Sequence, residues 1–582
     1  MQRKQPTFRA MRRRLLARAS VLALRVAMGF GLVAATVVLP AGWVKAEPYV
    51  FDIVALLGDT APDTGGDTFT DFPVSAPVLN AAGDVAFGAV FGAAHDDGIF
   101  KESSGKLIAV ALRGDTAPGT GGDTFADFVY APLLNVAGEV IFAGRFGAAK
   151  EIGIFKEGSG TLTAVALAGN IAPGTSDTFR TFGVPPVLNE RGDTAFQGFF
   201  GGSAPSFDEG VFKKIGGTLT AVALPGDTAP DTGATFAFFV APVLNGAGDT
   251  AFRGLFGAAA PFDHGIFKES GGTLTAVAIP GDIAPGPRGG TFTSFGTPVL
   301  NGAGDTAFLG FVGNDHGIFK EGGGTLTAVA LTKDTALGTG GDTFTSFGDP
   351  VLNGAGDVAF QASFGGLTGI FKESGGTLTA VALPGDIAPG TGGDTFTLAG
   401  LPVLNGAGEV AFIGSLSGAA AEGVFTYDPL TGLVEKILAV GDMLEVAPNE
   451  VREVDRVFRL GNSGNQDGRR SAFNDDGQVA LHVTFTDGSR AIVRASPADT
   501  AIERLIALVE AAGLLVGIEN SLVRKLESSL GFLARDNTTG AIAKLGDFID
   551  QVEAQRGRQI AAADADAWIA SAEAILDALG EA

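Results

Sequence analysis

The sequence predicts an all-β repeat domain, an eight-bladed β-propeller of four-stranded blades closed by its N-terminal strand, followed by a small all-α C-terminal helical bundle. Three observations carry this expectation. The pattern Asn-x-x-Gly-acid-x-Ala-Phe occurs at Asn80, Asn135 (with Ile141 for Ala), Asn189, Asn245, Asn301, Asn353 and Asn405, with a looser eighth copy at Asn474. The first seven copies lie 52 to 56 residues apart and the eighth follows 69 later, a period that marks one supersecondary unit stacked many times. Each period holds four short strands, and one strand stands alone at the start of the array where the last repeat lacks one.

In chain order, residues 1–46 read as a signal peptide. Arg3, Lys4, Arg9, Arg12, Arg13, Arg14 and Arg18 make a basic start, and an apolar run from Val26 to Leu39 follows. Pro40 and Gly42 break the run, and Val44-Lys45-Ala46 offers a cleavage site before Glu47. The alternative is an uncleaved anchor, since 26–43 is close to spanning length. Arg12-Arg13-Arg14 is compatible with a twin-arginine route. The segment carries nine Lys or Arg and no acid, so its removal shifts the formal charge from −24 to −33. Nucleic acid and anionic membrane surfaces are then poor partners for the mature chain, leaving cations, basic proteins or neutral glycans. The mature chain holds no expected transmembrane segment, and its location is secreted, periplasmic or at the bacterial cell surface.

Residues 47–497 form the array. Of the 582 residues, 88 are Gly and 45 Phe, against 3 Tyr and 2 Trp, and there is no Cys. Disulfides and thiol chemistry are therefore absent. Around Asn301 the unit runs from Thr291 to Leu300, through the turn Asn301-Gly302-Ala303-Gly304, then Asp305 to Val312, Ile318-Phe319-Lys320 and Leu326 to Leu331. Four strands with a turn after each are the content of one propeller blade. Asn at the first turn position accepts bonds from its own downstream backbone, and Gly three residues on supplies a left-handed conformation. The eight asparagines are thus expected to be structural turn residues. Along Thr306-Ala307-Phe308-Leu309 apolar residues occupy both alternating sets, so the strand must be covered on both faces. Blades sandwiched between neighbours meet that condition.

The strand count predicts closure. A Leu-x-Ala-Val-Ala-Leu strand occupies 107–112, 162–167, 219–224, 274–279, 326–331 and 378–383, with a divergent copy at Leu433 to Val440. Ile53 to Leu57 stands alone at the start, and the last repeat ends with Ala491 to Arg494 before Pro497. The orphan strand completes the last blade and leaves no exposed edge. An open solenoid is the alternative. Between Val457 and Asn474 the polar stretch from Gly461 to Arg470 departs from the period, through function or through ring closure.

Residues 498–582 change to helical periodicity. Asp499 or Thr500 caps a helix carrying Ile502, Leu505, Ile506 and Val509. A second carries Leu522, Leu526, Leu530 and Leu533, and a third begins at Asn537 or Thr538 with Ile542, Leu545, Phe548, Ile549 and Val552. The last runs from about Ala562 to Leu579. Four amphipathic helices make a small bundle.

The array resembles bacterial tandem-repeat proteins named for their NxxGxxAF motif, over about residues 50–497. Six copies hold the pattern, whereas Asn135 is followed by Ile141 in place of Ala and Asn474 by Leu481 in place of Phe. The resemblance implies an exported protein whose repeat domain is attached to varying C-terminal modules, with no known activity. The helical segment resembles the FIMAH-type domain through Gly517-Ile518-Glu519-Asn520-Ser521-Leu522, Lys525-Leu526, Asn537 and Phe548-Ile549-Asp550-Gln551-Val552-Glu553-Ala554-Gln555. That likeness implies a role in attachment or association.

Chemistry is sparsely signalled. His95, His264, His316 and His482 lie in different repeats without metal-ligand spacing, and no Ser, His and Asp arrangement can be drawn. The inter-blade connections carry paired acids, of which Asp59 and Asp67, Asp115 and Asp123, Asp334 and Asp342, and Asp386 and Asp394 are the candidate calcium ligands. Oxygen donors on turn-rich loops suit calcium, yet none of these loops has calcium-motif spacing, and Gly-Asp is also an ordinary turn. Calcium is the one candidate cofactor. The expected function is a non-catalytic binding or scaffold protein engaging an extracellular glycan or protein. The alternatives are a calcium-dependent adhesion or surface-layer component, and a polysaccharide lyase or glycosidase. The enzyme requires a cluster of unlike acids, His, Tyr or Arg at one mouth.

Overall fold

Eight antiparallel sheets follow one another along the chain, and the N-terminal strand joins the last of them. The computed structural model describes residues 48–581, apart from 74–75, 130–131, 184, 203–206, 287–288, 419, 459 and 462. The expected signal peptide lies outside the described residues. In blade 5 the strands are Ser294–Phe295 with Val299–Leu300, then Thr306–Val312, Asp315–Gly322 and Thr325–Leu331. The two short pieces are one innermost strand broken in the middle. A Pro precedes the Val-Leu or Leu-Leu piece in blades 1 to 7 (Pro77, Pro132, Pro186, Pro242, Pro298, Pro350 and Pro402). Proline has no N–H to give the ladder, so pairing lapses there. In blade 4 the strand Ala234–Leu244 is continuous, but its register slips between Val240 and Val243.

Burial bears out the sandwiched arrangement. Phe308 and Phe319 are fully buried, their rings stacked at 6.1 Å, and Phe292 meets Phe319 edge-on at 4.8 Å. The same trio recurs as Phe179, Phe196 and Phe212 in blade 3 and as Phe396, Phe412 and Phe425 in blade 7. Each cluster also draws on the preceding blade. Val351, Ala359 and Ile370 of blade 6 pack with Phe396 and Phe412 of blade 7.

The ring closes as the strand count requires. Tyr49–Leu56 runs antiparallel to Arg490–Pro497, pairing Tyr49 with Pro497 and Ile53 with Val493. A repeated clamp joins blades 1, 3, 4 and 5 each to the next. Lys101 Nζ donates to the Gly138 carbonyl at 2.7 Å and reaches Glu157 at 2.7 Å. Lys268 does the same with Gly304 and Glu321, and Lys320 with Gly356 and Glu373. At the seam Arg494 replaces lysine, donating to the Gly83 carbonyl at 2.8 Å and to Glu102 at 2.6 Å while also holding Asp52 of the N-terminal strand.

The last strand runs straight into helix α1 (Ala498–Ala511), followed by α2 (Val516–Leu533), α3 (Thr538–Gln555) and α4 (Ala562–Glu581). Asn537 caps α3 by accepting from the Gly540 N–H, as expected. The cap expected at Asp499 or Thr500 is not made. Helix α1 instead begins directly after Pro497, and the Thr500 hydroxyl donates to the Asp476 carbonyl of blade 8. Arg504 extends the seam by donating to Glu102 at 2.8 Å, and Val50 packs into the helical core. The bundle is therefore fastened to the closing strand. No helix among the described residues is long and apolar enough to cross a membrane.

Candidate functional site

The eight motif asparagines form a closed ring at one mouth of the channel. Asn80 Nδ2 donates to the Asn135 carbonyl at 3.0 Å, Asn135 to Asn189 at 3.1 Å, and Asn189 to Asn245 at 2.9 Å. Asn245, Asn301, Asn353 and Asn405 continue the chain, and Asn474 returns it to Asn80 at 3.0 Å. Each Oδ1 accepts the backbone N–H four residues on, as Asn301 does from Asp305 at 2.9 Å. The second Nδ2 proton goes to the side chain at that same position, Asp305 Oδ2 at 3.0 Å for Asn301 and Gln478 Oε1 at 2.9 Å for Asn474. The acid of the motif is thus an acceptor for its own asparagine, and Gln478 serves equally well. The turn role was legible in sequence; the ring that joins all eight turns was not.

The polar stretch of blade 8 occupies the channel. It is the break of the innermost strand, lengthened to cross from Phe458 to Phe473. The hoop, described over residues 463–471, visits the blades in reverse order. The Ser463 carbonyl accepts from Leu404 N of blade 7, Asp467 from Leu244 N of blade 4, Gly468 from Leu188 N of blade 3, and Ser471 from Leu79 N of blade 1. Gly464 lies directly against the Leu352 backbone of blade 6, and Gln466 Oε1 accepts from Gly302 N of blade 5 at 2.7 Å. Nine residues reach at most about 30–32 Å, three quarters of the way round a hoop about 13 Å across. Its carbonyls satisfy inward N–H groups of the innermost strands, which have no further strand to pair with. Asp467, 1% exposed, braces the turn by accepting from Ser463 Oγ and from the backbone and Nε of Arg469.

This segment makes the Asn-ring mouth asymmetric. The residue after each motif asparagine is Ala81, Val136 and Glu190 in blades 1 to 3, glycine in blades 4 to 7 and Asp475 in blade 8. A Cβ on Gly302 would stand 2.9 Å from Gln466 Oε1, and one on Gly354 would collide with the same amide. Gly406 N donates to Asp475 Oδ1 at 2.6 Å. On the other side, among the described residues, the hoop makes no bond to Leu134 N of blade 2 corresponding to those in blades 1 and 3. A cavity of about 100 Å³ opens there, lined by Asn135, Val136, Glu190, Asn465, Arg469 and Asp475 among others. Arg469 Nη2 is buried without a hydrogen-bond partner. Two carboxylates and side-chain amides can together hydrogen-bond a ligand that both donates and accepts.

Other departures from the repeat follow the Ala-Phe pair. Gln197, Arg253 and Gln361 each donate to a carbonyl of the next blade, Phe239 at 2.7 Å, Phe295 at 2.8 Å and Ala399 at 2.6 Å. Glu209 accepts from Gln197 at 3.0 Å, and burial pushes its carboxyl above the usual range. Asp349 is raised likewise by burial, against the pull of Arg469 and Arg253.

The candidate calcium acids occupy two kinds of place. Asp59, Asp115, Asp334 and Asp386 each accept a backbone N–H three residues back, from Leu56, Leu112, Leu331 and Leu383, at 2.8 to 3.1 Å. Asp67, Asp123, Asp342 and Asp394 lie against Gly92, Gly147, Gly365 and Gly418, in the loops between second and third strands. Among the described residues no group of three or more His, Asp or Glu side chains is gathered around one point. His95 sits in an exposed turn. Burial holds His264 and His316 below the usual imidazole range. His482 is buried between Phe458, stacked at 4.2 Å, and Phe72.

No curated protein matches the chain. Among solved structures it is similar to the β-propeller domain of the trilobed protease from Pyrococcus furiosus, at 11% identity and a TM-score of 0.35, covering 63% of this chain and 98% of that one. A Mycobacterium tuberculosis puromycin-hydrolyzing peptidase is similar at 13% identity and a TM-score of 0.37, over 76% of this chain and 62% of its own. Polysaccharide lyase Uly1 is similar at 10% identity and a TM-score of 0.31, over 78% of this chain and all of its own. Likeness at this level says nothing of chemistry. In sequence, residues 43–315 and 311–493 match the profile of a family of unknown function, DUF7453, and the chain belongs to that family.

Proposed function

We propose that the protein is an exported, non-catalytic binding or scaffold protein whose propeller loops and helical module mediate interactions at or outside the cell surface. The observation that carries this reading is the hoop. The one long segment that departs from the repeat is committed to closing the channel, its carbonyls bonded to the innermost strands of blades 1, 3, 4 and 7. What remains for contact is the mouth beside the hoop and a broad, acidic, repetitive surface, suited to extended or multivalent partners. The helical module, held by Arg504 and Val50, fits the attachment role that its FIMAH-type likeness implies. The test incubates the purified chain with neutral and acidic polysaccharides and with peptide substrates, following retention by affinity electrophoresis and turnover by product analysis. Retention without turnover supports the reading; turnover of any substrate refutes it.

Calcium-dependent adhesion is the second reading, favoured by acids recurring on the inter-blade loops. A ligand of the native state stabilises it by about 2.7 kcal/mol at a hundredfold excess over its dissociation constant. Thermal unfolding in calcium and then in chelator therefore decides. A higher midpoint in calcium supports metal sites at Asp59 and its counterparts, and coincident curves remove them.

A further inference from the structure

We infer that the cavity beside the hoop is a binding site for a single neutral sugar unit, such as the terminal residue of a glycan. This rests on the binding reading above and assigns it a place. The cavity exists because the hoop leaves the wall between Gly468, bonded to blade 3, and Ser471, bonded to blade 1. It opens where blades 1 to 3 carry side chains at the position that is glycine in blades 4 to 7. Repeat divergence and accessible volume therefore coincide, as a specific site in an otherwise repetitive surface requires.

The lining selects the ligand class. Glu190 and Asp475 offer carboxylate oxygens that accept from hydroxyls, while the Arg469 guanidinium turns inward, its Nε given to Asp467. Asn465 is oriented by its bond to the Phe473 carbonyl at 2.7 Å, which leaves its side-chain oxygen as an acceptor. Val136, 40% exposed, supplies an apolar surface at the rim. A sugar ring presents hydroxyls that donate and accept along its edges and C–H groups on its face, matching this mixture. A volume of about 100 Å³ is room for several waters, and displacing them leaves space for one ring rather than a chain. Two rim carboxylates disfavour an anionic sugar, since like charges across a small cavity repel.

Saturation-transfer NMR on the full chain with millimolar glucose, galactose, mannose, N-acetylglucosamine and glucuronate tests the assignment. Saturation transfer to at least one neutral sugar and weaker transfer to glucuronate is expected. Val136→Trp fills the cavity from an exposed position and should weaken binding at least tenfold, and Glu190→Ala, also exposed, should do so several-fold. Both variants should keep the wild-type melting temperature. Silence from every neutral sugar overturns the assignment. Binding that survives Val136→Trp unchanged also overturns it, while leaving a binding protein with its site elsewhere. Turnover of a glycan would instead remove the non-catalytic reading.

Discussion

His482 should make the ring acid-labile. The side chain is 1% exposed, and neither ring nitrogen has a hydrogen-bond partner. It stacks on Phe458, where the hoop begins, and meets the edge of Phe72 across the seam into blade 1. Burial, and then the charge of Arg490, push its pKa down to about 4 from 6.5. Arg490 is itself held by Asp71 of blade 1. The unfolded chain therefore binds a proton on this residue at a pH where the native chain does not. Stability is complete above about 6.5, declines as pH falls towards 4, and then levels off. A difference of about 2.5 units corresponds to about 3 kcal/mol.

Urea unfolding at pH 7 and at pH 4.5, on the wild type and on His482→Phe, measures this term. Phenylalanine keeps the stack on Phe458 and forfeits no hydrogen bond, so the variant should be at least as stable at pH 7. Between the two pH values the wild type should lose about 2–3 kcal/mol more than the variant. Other groups titrate in both chains and cancel in the difference. Equal losses would refute the argument, because they would mean that the imidazole finds a partner or water in the native state.

Three further outcomes test the architecture. Asn301→Ala removes the acceptor of the Ala303 and half-buried Asp305 N–H groups and one of the two donors to the buried Asn353 carbonyl, which keeps the Gly356 N–H. Its cost, expected from the turn alone as about 1 kcal/mol, should rise to about 2 kcal/mol; Phe308→Ala should cost ~3–5 kcal/mol, and small equal effects in calorimetry would sink both the ring and the sandwich. Deleting residues 47–58 removes the closing strand and Asp52 from Arg494; a lower midpoint with aggregation through the bared edge is expected, and an unchanged melting profile would refute closure. Removing one period, residues 301–352, should prevent a closed ring from forming, because the hoop is cut for eight blades; a soluble, fully cooperative seven-blade protein would show that the hoop adapts.

Legibility followed periodicity. The blade count and closure by the N-terminal strand were readable because each is a statement about repeats or about one repeat left incomplete; the phase of the strands was not, because a ring can be cut at more than one strand. The turn role of the asparagines was readable for the same reason. Their ring was hidden because a bond from Asn301 to Asn353 spans one period, and a single unit gives no hint that its neighbour's carbonyl faces it. The clamp from Lys320 to Glu373 was hidden likewise, although Lys and Glu recur in register and one period separates the partners. The hoop was unreadable for the opposite reason. A segment without periodicity announces that it differs, and nothing in its composition says where it goes. Its one sequence signature lies elsewhere, in the glycines at 302, 354 and 406 that make room for Gln466 and Asp475.

The unlike residues concentrate at the seam for a physical reason. Seven near-identical blades carry no information about their number, since each interface is satisfied by any copy of the next. A chain built only from such blades is free to pair its ends one blade early or to add a second molecule. Blade 8 removes that freedom. Arg494 in place of lysine reaches Asp52 as well as Glu102, so the closing strand and blade 1 are recognised together. Arg504 binds the same two acids from α1, which makes docking of the helical module conditional on closure. The hoop then meets blades 7, 6, 5, 4, 3 and 1 in turn, a set of contacts that only a ring of this size presents. Buried charge is a poor source of net stability, and a segment threaded through a channel costs conformational entropy. Both are the expected costs of specifying one closed ring among alternatives that the repeat alone leaves equal.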